Sequence, residues 1–145
     1  MQIYENETYD SERSSLPNVY IVIIDSTSAF MAKRSLPKTM EFLKKNIGAV
    51  QMEFLNKVGD NSRPNGFPLV FGKSIEKIGR VGRPPEAPDW DNNKICQKWL
   101  DDQPYILEEY RKKGYKTLSA TDYSMGILYY QVCKGLKRKE ADHLY

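Results

Sequence analysis

Val19-Tyr20-Ile21-Val22-Ile23-Ile24-Asp25-Ser26-Thr27-Ser28 sets the architecture expected for the whole chain. Six apolar residues follow one another without a polar break, and all but Tyr20 are β-branched. Continuous rather than alternating apolar character marks a strand covered on both faces, as in a parallel sheet. Polar residues come immediately after it, at the carboxyl end where open α/β sheets bind their ligands. Asp25 is therefore the first candidate for chemistry: a carboxylate there is held close to where a metal or substrate docks. The same position equally suits a turn or helix-capping aspartate.

Upstream, residues 1–16 carry Glu5, Glu7, Asp10 and Glu12 against Arg13 and show no apolar periodicity, so a disordered leader is expected. It lacks the basic and apolar regions of a secretory signal. Asn6-Glu7-Thr8 matches a glycosylation acceptor, a triplet common by chance. Downstream, Ser35-Leu36-Pro37-Lys38 reads as a helix start, with Met40, Leu43 and Ile47 on one face and Gly48 as the stop. A second strand is expected over 49–55. The turn-rich loop Asn56-Lys57-Val58-Gly59-Asp60-Asn61-Ser62-Arg63-Pro64-Asn65 leads into a short helix bearing Phe67, Leu69, Val70 and Phe71, ended by Gly72. Residues 73–93 read as an irregular surface loop. A short helix over 94–100, a helix opened by Pro104 and closed by Gly114, and a third strand over 115–120 follow. The basic residues 134–140 read as a solvated segment. This order is that of an α/β domain.

With 145 residues, the chain is of one-domain size, against about 150 residues per domain. Its 40% hydrophobic content is enough for a core, and a net charge of +3 is too small to argue for nucleic acid, so no nucleic-acid partner is expected. Six apolar residues cannot cross a bilayer, which takes about 20 in a helix; no membrane span is expected. The single histidine, His143, argues against a full two-metal site built from this chain alone. Cys96 and Cys133 are open to a disulfide or to two thiols. No glycine-rich phosphate loop, CxxC pair or local Ser-His-Asp arrangement occurs.

Ser62 is the second candidate. A serine at a loop-to-helix junction lies in the positive end of the helix dipole, where backbone N–H groups receive an anion. A hydroxyl in that field with a metal bound can ionise and act as a nucleophile; plain N-capping is the structural alternative.

Together, Pro17-Asn18-Val19 through Ser28, Leu36-Pro37-Lys38-Thr39 with Phe42-Leu43, and the block from Asn56 to Asn65 resemble the opening of a sulfatase-like family of unknown function in the alkaline-phosphatase superfamily. Asp102-Gln103-Pro104, Tyr110, Gly114-Tyr115, Cys133-Lys134-Gly135-Leu136 and Ala141-Asp142-His143 are similar to it as well. The resemblance implies a partial, mostly parallel sheet flanked by helices, the N-terminal portion of an alkaline-phosphatase-like fold over residues 17–145. It implies a metal-dependent hydrolase of phosphate or sulfate esters, with Asp25 and Ser62 on a divalent metal (zinc, calcium or other), Ser62 as nucleophile, and Asn65 touching the transferred group. Ser62 stands where that family block carries Thr. Gly66 stands where the C/S-x-P-x-R pattern of sulfatases has Arg, which argues against a modified-cysteine sulfatase. The remaining Asp and His ligands of that fold come later than Tyr145, so the chain is expected to be inactive by itself. A non-catalytic remnant or binding module with the same half-fold is the alternative. The resemblance also implies an extracellular or outward-facing, membrane-anchored location, where Cys96 and Cys133 would be oxidised.

Overall fold

The computed structural model describes residues 16–122 and 126–145; the expected leader lies almost wholly outside them. The chain divides into two units, Met1–Ala49 and Val50–Tyr145, and the structure is one of mixed helices with two small two-stranded sheets. Helices and strands are mixed as an α/β class implies, but in place of the expected mostly parallel sheet the described residues hold one antiparallel and one parallel pair of strands.

In the first unit, residues 17–24 form no regular element, and no described residue pairs with them as a strand. Tyr20 and Val22 are 82% and 83% exposed. This corrects the expected doubly covered strand. β-Branching favours extended backbone, but a strand exists only where a neighbour accepts its N–H groups, and among the described residues none does. The chain then turns at Asp25-Ser26. Ser26 takes φ +55, and its N–H donates to the Asp25 carboxylate at 2.8 Å. Helix α1 (Ala29–Ser35) follows, capped by the Ser28 hydroxyl, which accepts from the Met31 N–H. Leu36 leaves the helical region because Pro37 disfavours it there. Pro37 then opens α2 (Pro37–Phe42). A π-helical turn, Leu43–Ile47, ends on left-handed Gly48 (φ +70), the predicted stop. None of these three helical segments contains a buried residue.

The second unit holds the core. The expected strand over 49–55 is not formed; Val50, Phe54 and Leu55 are exposed on irregular backbone. Helix α3 (Ser62–Phe71) packs Phe67 and Phe71 inward and stops at left-handed Gly72, as expected. The segment read as irregular contains a hairpin, β1 (Ile78–Arg80) with β2 (Arg83–Glu86), turned at Gly82 (φ +71). Pro84 and Pro85 confine β2 to an edge, since proline offers no N–H to a further strand. Helices α4 (Asn92–Cys96) and α5 (Ile106–Lys112) follow. The third predicted strand appears as β3 (Leu118–Ser119), and its parallel partner is β4 (His143–Leu144). Between them lie α6 (Gly126–Tyr129) and a 3₁₀ turn, Tyr130–Val132. The segment read as solvated buries Leu136.

Phe71 is the centre of an aromatic cluster, with ring centroids 5.1 Å from Phe67, 5.5 Å from Trp90 and 5.3 Å from Tyr105. The question left open by the cysteine count is answered by a Cys96–Cys133 disulfide. Closing its 37-residue separation is worth about 4 kcal/mol on the chain-entropy account. Gly66 lets α3 approach α6, for a Cβ there would lie 2.6 Å from Ile127 Cδ1. Two loops are fastened by the same device. Ser74 N–H and hydroxyl both donate to Asp89 Oδ2, and Thr117 N–H and hydroxyl both donate to Asp142 Oδ2. Each aspartate N–H returns a bond to the hydroxyl oxygen.

Phe67→Ala removes a side chain with no exposed surface and should destabilise the second unit by about 3–5 kcal/mol, read from urea melts followed by near-ultraviolet circular dichroism. The backbone and then side-chain hydrogen bonds of Ser74 and Thr117 hold the Asp89 and Asp142 carboxyls below the usual range. Their contribution is thus complete above the unfolded value near 4 and vanishes as pH drops through the lower folded values. The melting temperature should hold between about pH 8 and 5 and fall below about pH 4. Asp142→Asn should lower it at pH 7 and shrink that acid-side drop.

Candidate functional site

Ser62 occupies the first helical position of α3, and the N-cap is Asn61, with extended backbone (φ −140°) and no side-chain capping bond. The capping alternative for Ser62 therefore does not apply. Pro64 falls in the first turn, where its missing N–H costs nothing. The positive end of a ten-residue helix is left without a side-chain cap.

The loop that delivers the chain to this point is wound on Asn65. Its Oδ1 accepts from the N–H groups of Val58 (2.9 Å) and Gly59 (3.3 Å), and its Nδ2 donates to the carbonyls of Gly59 (2.8 Å) and Asn61 (2.7 Å). Gly59 packs so tightly on the helix start that a Cβ there would sit 2.3 Å from Pro64 Cβ. The Asp60 N–H donates to Glu76 Oε2 at 3.0 Å, which ties the loop to the segment after the helix. Ser62 is half-buried as a result.

Beside Ser62, Arg63 turns inward and is 4% exposed. Nη1 donates to the carbonyls of Ile127 (2.5 Å) and Leu128 (2.9 Å), and Nε donates to Asn92 Oδ1 (3.3 Å). The guanidinium also lies 4.4 Å from the Phe67 ring centroid, a cation–π distance. Nη2 is buried without a hydrogen-bond partner among the described residues. Burial draws the guanidinium's pKa down. A cleft of about 100 Å³ opens here, lined by Asn61, Ser62, Arg63, Gly126, Ile127 and Tyr130.

Of the residues singled out from sequence, Ser62 and Asn65 thus share one helix start. Asp25 belongs to the first unit, at the turn before α1. His143 is exposed on β4, its N–H donating to the Thr117 carbonyl. Among the described residues no three His, Cys, Asp or Glu side chains gather as a metal would need. Asp25 and Ser62 offer one carboxylate and one hydroxyl, fewer than the four ligands of a zinc centre, so the described donors by themselves do not fit the ion.

Arg63, Asn92 and Tyr130 were not legible as site residues. An arginine after a serine in a polar loop looks like a solvated charge; nothing in its pattern shows that it folds under its own helix.

A segment of irregular backbone ending in an aspartate turn and a helix whose start has no side-chain cap and borders a small cleft thus characterise this chain. It matches, over residues 1–145, the family described as "Protein of unknown function (DUF229)", and it belongs to that family. No curated protein and no solved structure matches it.

Asn65→Ala would strip the loop of four hydrogen bonds. At about 1 kcal/mol net each, it should cost about 2–4 kcal/mol in chemical denaturation and raise hydrogen exchange at the Val58 and Gly59 amides. Exchange unchanged at those amides would contradict the role given to Asn65.

Proposed function

We propose that the chain forms part of a metal-dependent hydrolase of phosphate or sulfate esters, in which the Ser62 hydroxyl is the nucleophile. The observation that carries this reading is the position of Ser62 at the uncapped start of α3, on the wall of the cleft. Its oxygen attacks phosphorus or sulfur; the bond to the ester oxygen breaks as the new one forms, and water later releases the anion from serine. Negative charge on the transferred group meets the helix dipole and the backbone N–H groups of the first turn.

The resemblance to sulfatase-like members of the alkaline-phosphatase superfamily supports the same reading, and with it Asp25 as the metal carboxylate. A divalent cation, zinc, calcium or another, would lower the serine pKa and neutralise developing charge when bound. Its ligands beyond Asp25 and Ser62 would come from outside the described residues. By that resemblance Asn65 would touch the transferred group, although in this structure its amide is engaged with the loop as the brace of the helix start. The Cys96–Cys133 disulfide fits an oxidising compartment, which favours an extracellular or outward-facing location. No helix of the described residues is long and apolar enough to cross a membrane.

Aryl phosphate and aryl sulfate esters, assayed with added zinc, calcium or manganese and again after chelation, test the reading. Metal-dependent release of the aryl alcohol is expected once the further metal ligands are supplied and not from these residues alone, with Ser62→Ala lowering it at least about a thousandfold and Asp25→Asn raising the metal concentration required. Hydrolysis that survives Ser62→Ala would remove the nucleophile assignment. Absence of both hydrolysis and metal binding by calorimetry with those further ligands supplied would make the chain the non-catalytic module instead.

A further inference from the structure

Val132 stands in a backbone conformation that its side chain opposes. It is β-branched, takes φ +65 and is 86% exposed. The left-handed region crowds a branched Cβ, and a side chain so open to solvent gains little burial in return. Strain of this kind persists only where the surroundings impose it. Two fixed points impose it here. On one side Arg63 Nη1 holds the carbonyls of Ile127 and Leu128, and Leu128 is 1% exposed. On the other, the next residue is Cys133, bonded to Cys96. Beyond it the segment is tied by backbone hydrogen bonds, from the Lys134 N–H to the Cys96 carbonyl at 3.0 Å and from the Leu100 N–H to the Gly135 carbonyl at 2.9 Å, each of modest net worth. The 3₁₀ turn Tyr130–Val132 spans the two points, and its Tyr130 forms a wall of the cleft beside Ser62.

We propose that the Cys96–Cys133 disulfide is a redox latch that holds Tyr130 on the wall of this cleft. The reductant is a dithiol. Its thiolate attacks the Cys96 sulfur, because Cys96 is half-buried whereas Cys133 is 8% exposed, and Cys133 departs as a thiolate and takes up a proton. The second thiol of the reductant then displaces Cys96, which is protonated in turn. The chain gains two electrons and two protons, and the dithiol becomes a disulfide. With the bond broken, Val132 leaves the left-handed region, the 3₁₀ turn unwinds and Tyr130 moves off the cleft. Phe67, Phe71 and Tyr105 keep the core, since none of them lies in the released turn. Strain in the adjoining backbone favours reduction, which sets a labile, regulatory disulfide apart from an inert one. An oxidising compartment keeps the latch closed. The latch governs the shape of the cleft whether or not an ester is hydrolysed there.

The test equilibrates the full chain with mixtures of reduced and oxidised dithiothreitol. Thiol labelling read by mass spectrometry gives the fraction reduced, and amide hydrogen exchange and nitrogen–proton correlation spectra are taken on the same samples. In the reduced chain, exchange over residues 129–134 should rise at least about tenfold and the Asn61 and Ser62 amide resonances should move, while the near-ultraviolet circular dichroism of the aromatic core is retained. Val132→Gly removes the strain, because glycine accepts the left-handed region. Its disulfide should therefore need about a tenfold higher ratio of reduced to oxidised dithiothreitol. Reduction that leaves exchange over 129–134 or the Asn61 and Ser62 resonances unchanged would overturn the proposal. Loss of the near-ultraviolet signal on reduction would overturn it too, making the bond a staple of the whole unit. Reduction of Val132→Gly at the wild-type ratio would do the same, for the strain would then have no bearing on the bond.

Discussion

The guanidinium of Arg63 joins three parts of the second unit that are far apart in sequence. It leaves the start of α3, passes across the Phe67 ring, and holds the carbonyls of Ile127 and Leu128 in α6 and the side chain of Asn92 in α4. The Cys96–Cys133 disulfide links the end of α4 to the residue just after the 3₁₀ turn that follows α6. Arginine and disulfide thus bind the same two segments to each other from separate points. The walls of the cleft are set by this arrangement, because Ile127 and Tyr130 stand on the segment that both fasten. Hydrogen bonds to three oxygens offset part of the charge's desolvation, and the aromatic face contributes more.

Around that clamp the unit is built from an aromatic core and fastened loops rather than from a broad sheet. Phe67, Phe71 and Tyr105 are buried together, with Trp90 packed against them. The two hydroxyl–aspartate pairs, Ser74–Asp89 and Thr117–Asp142, replace ladder hydrogen bonds where strands are short. Asp101 does the same for the end of the chain, accepting from the Lys137 and Arg138 N–H groups at 2.8 and 2.9 Å. Buried Tyr105 reaches Glu140 at 2.6 Å, and its hydroxyl is pushed to a higher pKa first by burial and then by that carboxylate. The first unit, by contrast, buries none of the residues in its helices.

Chemistry at the cleft depends on both kinds of order. Asn65 spends its whole amide on backbone groups of the preceding loop, which fixes where Ser62 begins the helix. Arg63, one residue later, is committed through three of its donors. Two side chains committed to fixed partners at one helix start leave that start little conformational entropy to lose.

Local signals in the sequence determined the punctuation of this protein. Gly48 and Gly72 end helices because they adopt left-handed backbone without strain, Pro37 and Pro64 open them because no N–H is needed there, and the third strand, 115–120, is present at its centre. Ser62 was legible for the same reason: a polar residue just before a proline and an apolar run stands at a helix start. Tertiary structure decided what these signals could not. Residues 19–24 and 49–55 have strand composition, but strand formation depends on a partner, and composition does not name one. The burial of Arg63, the choice of disulfide over thiols, and the pairing of β3 with β4 all bring together residues more than twenty positions apart. Distant contacts of that kind arise from packing, which no local pattern of residues encodes.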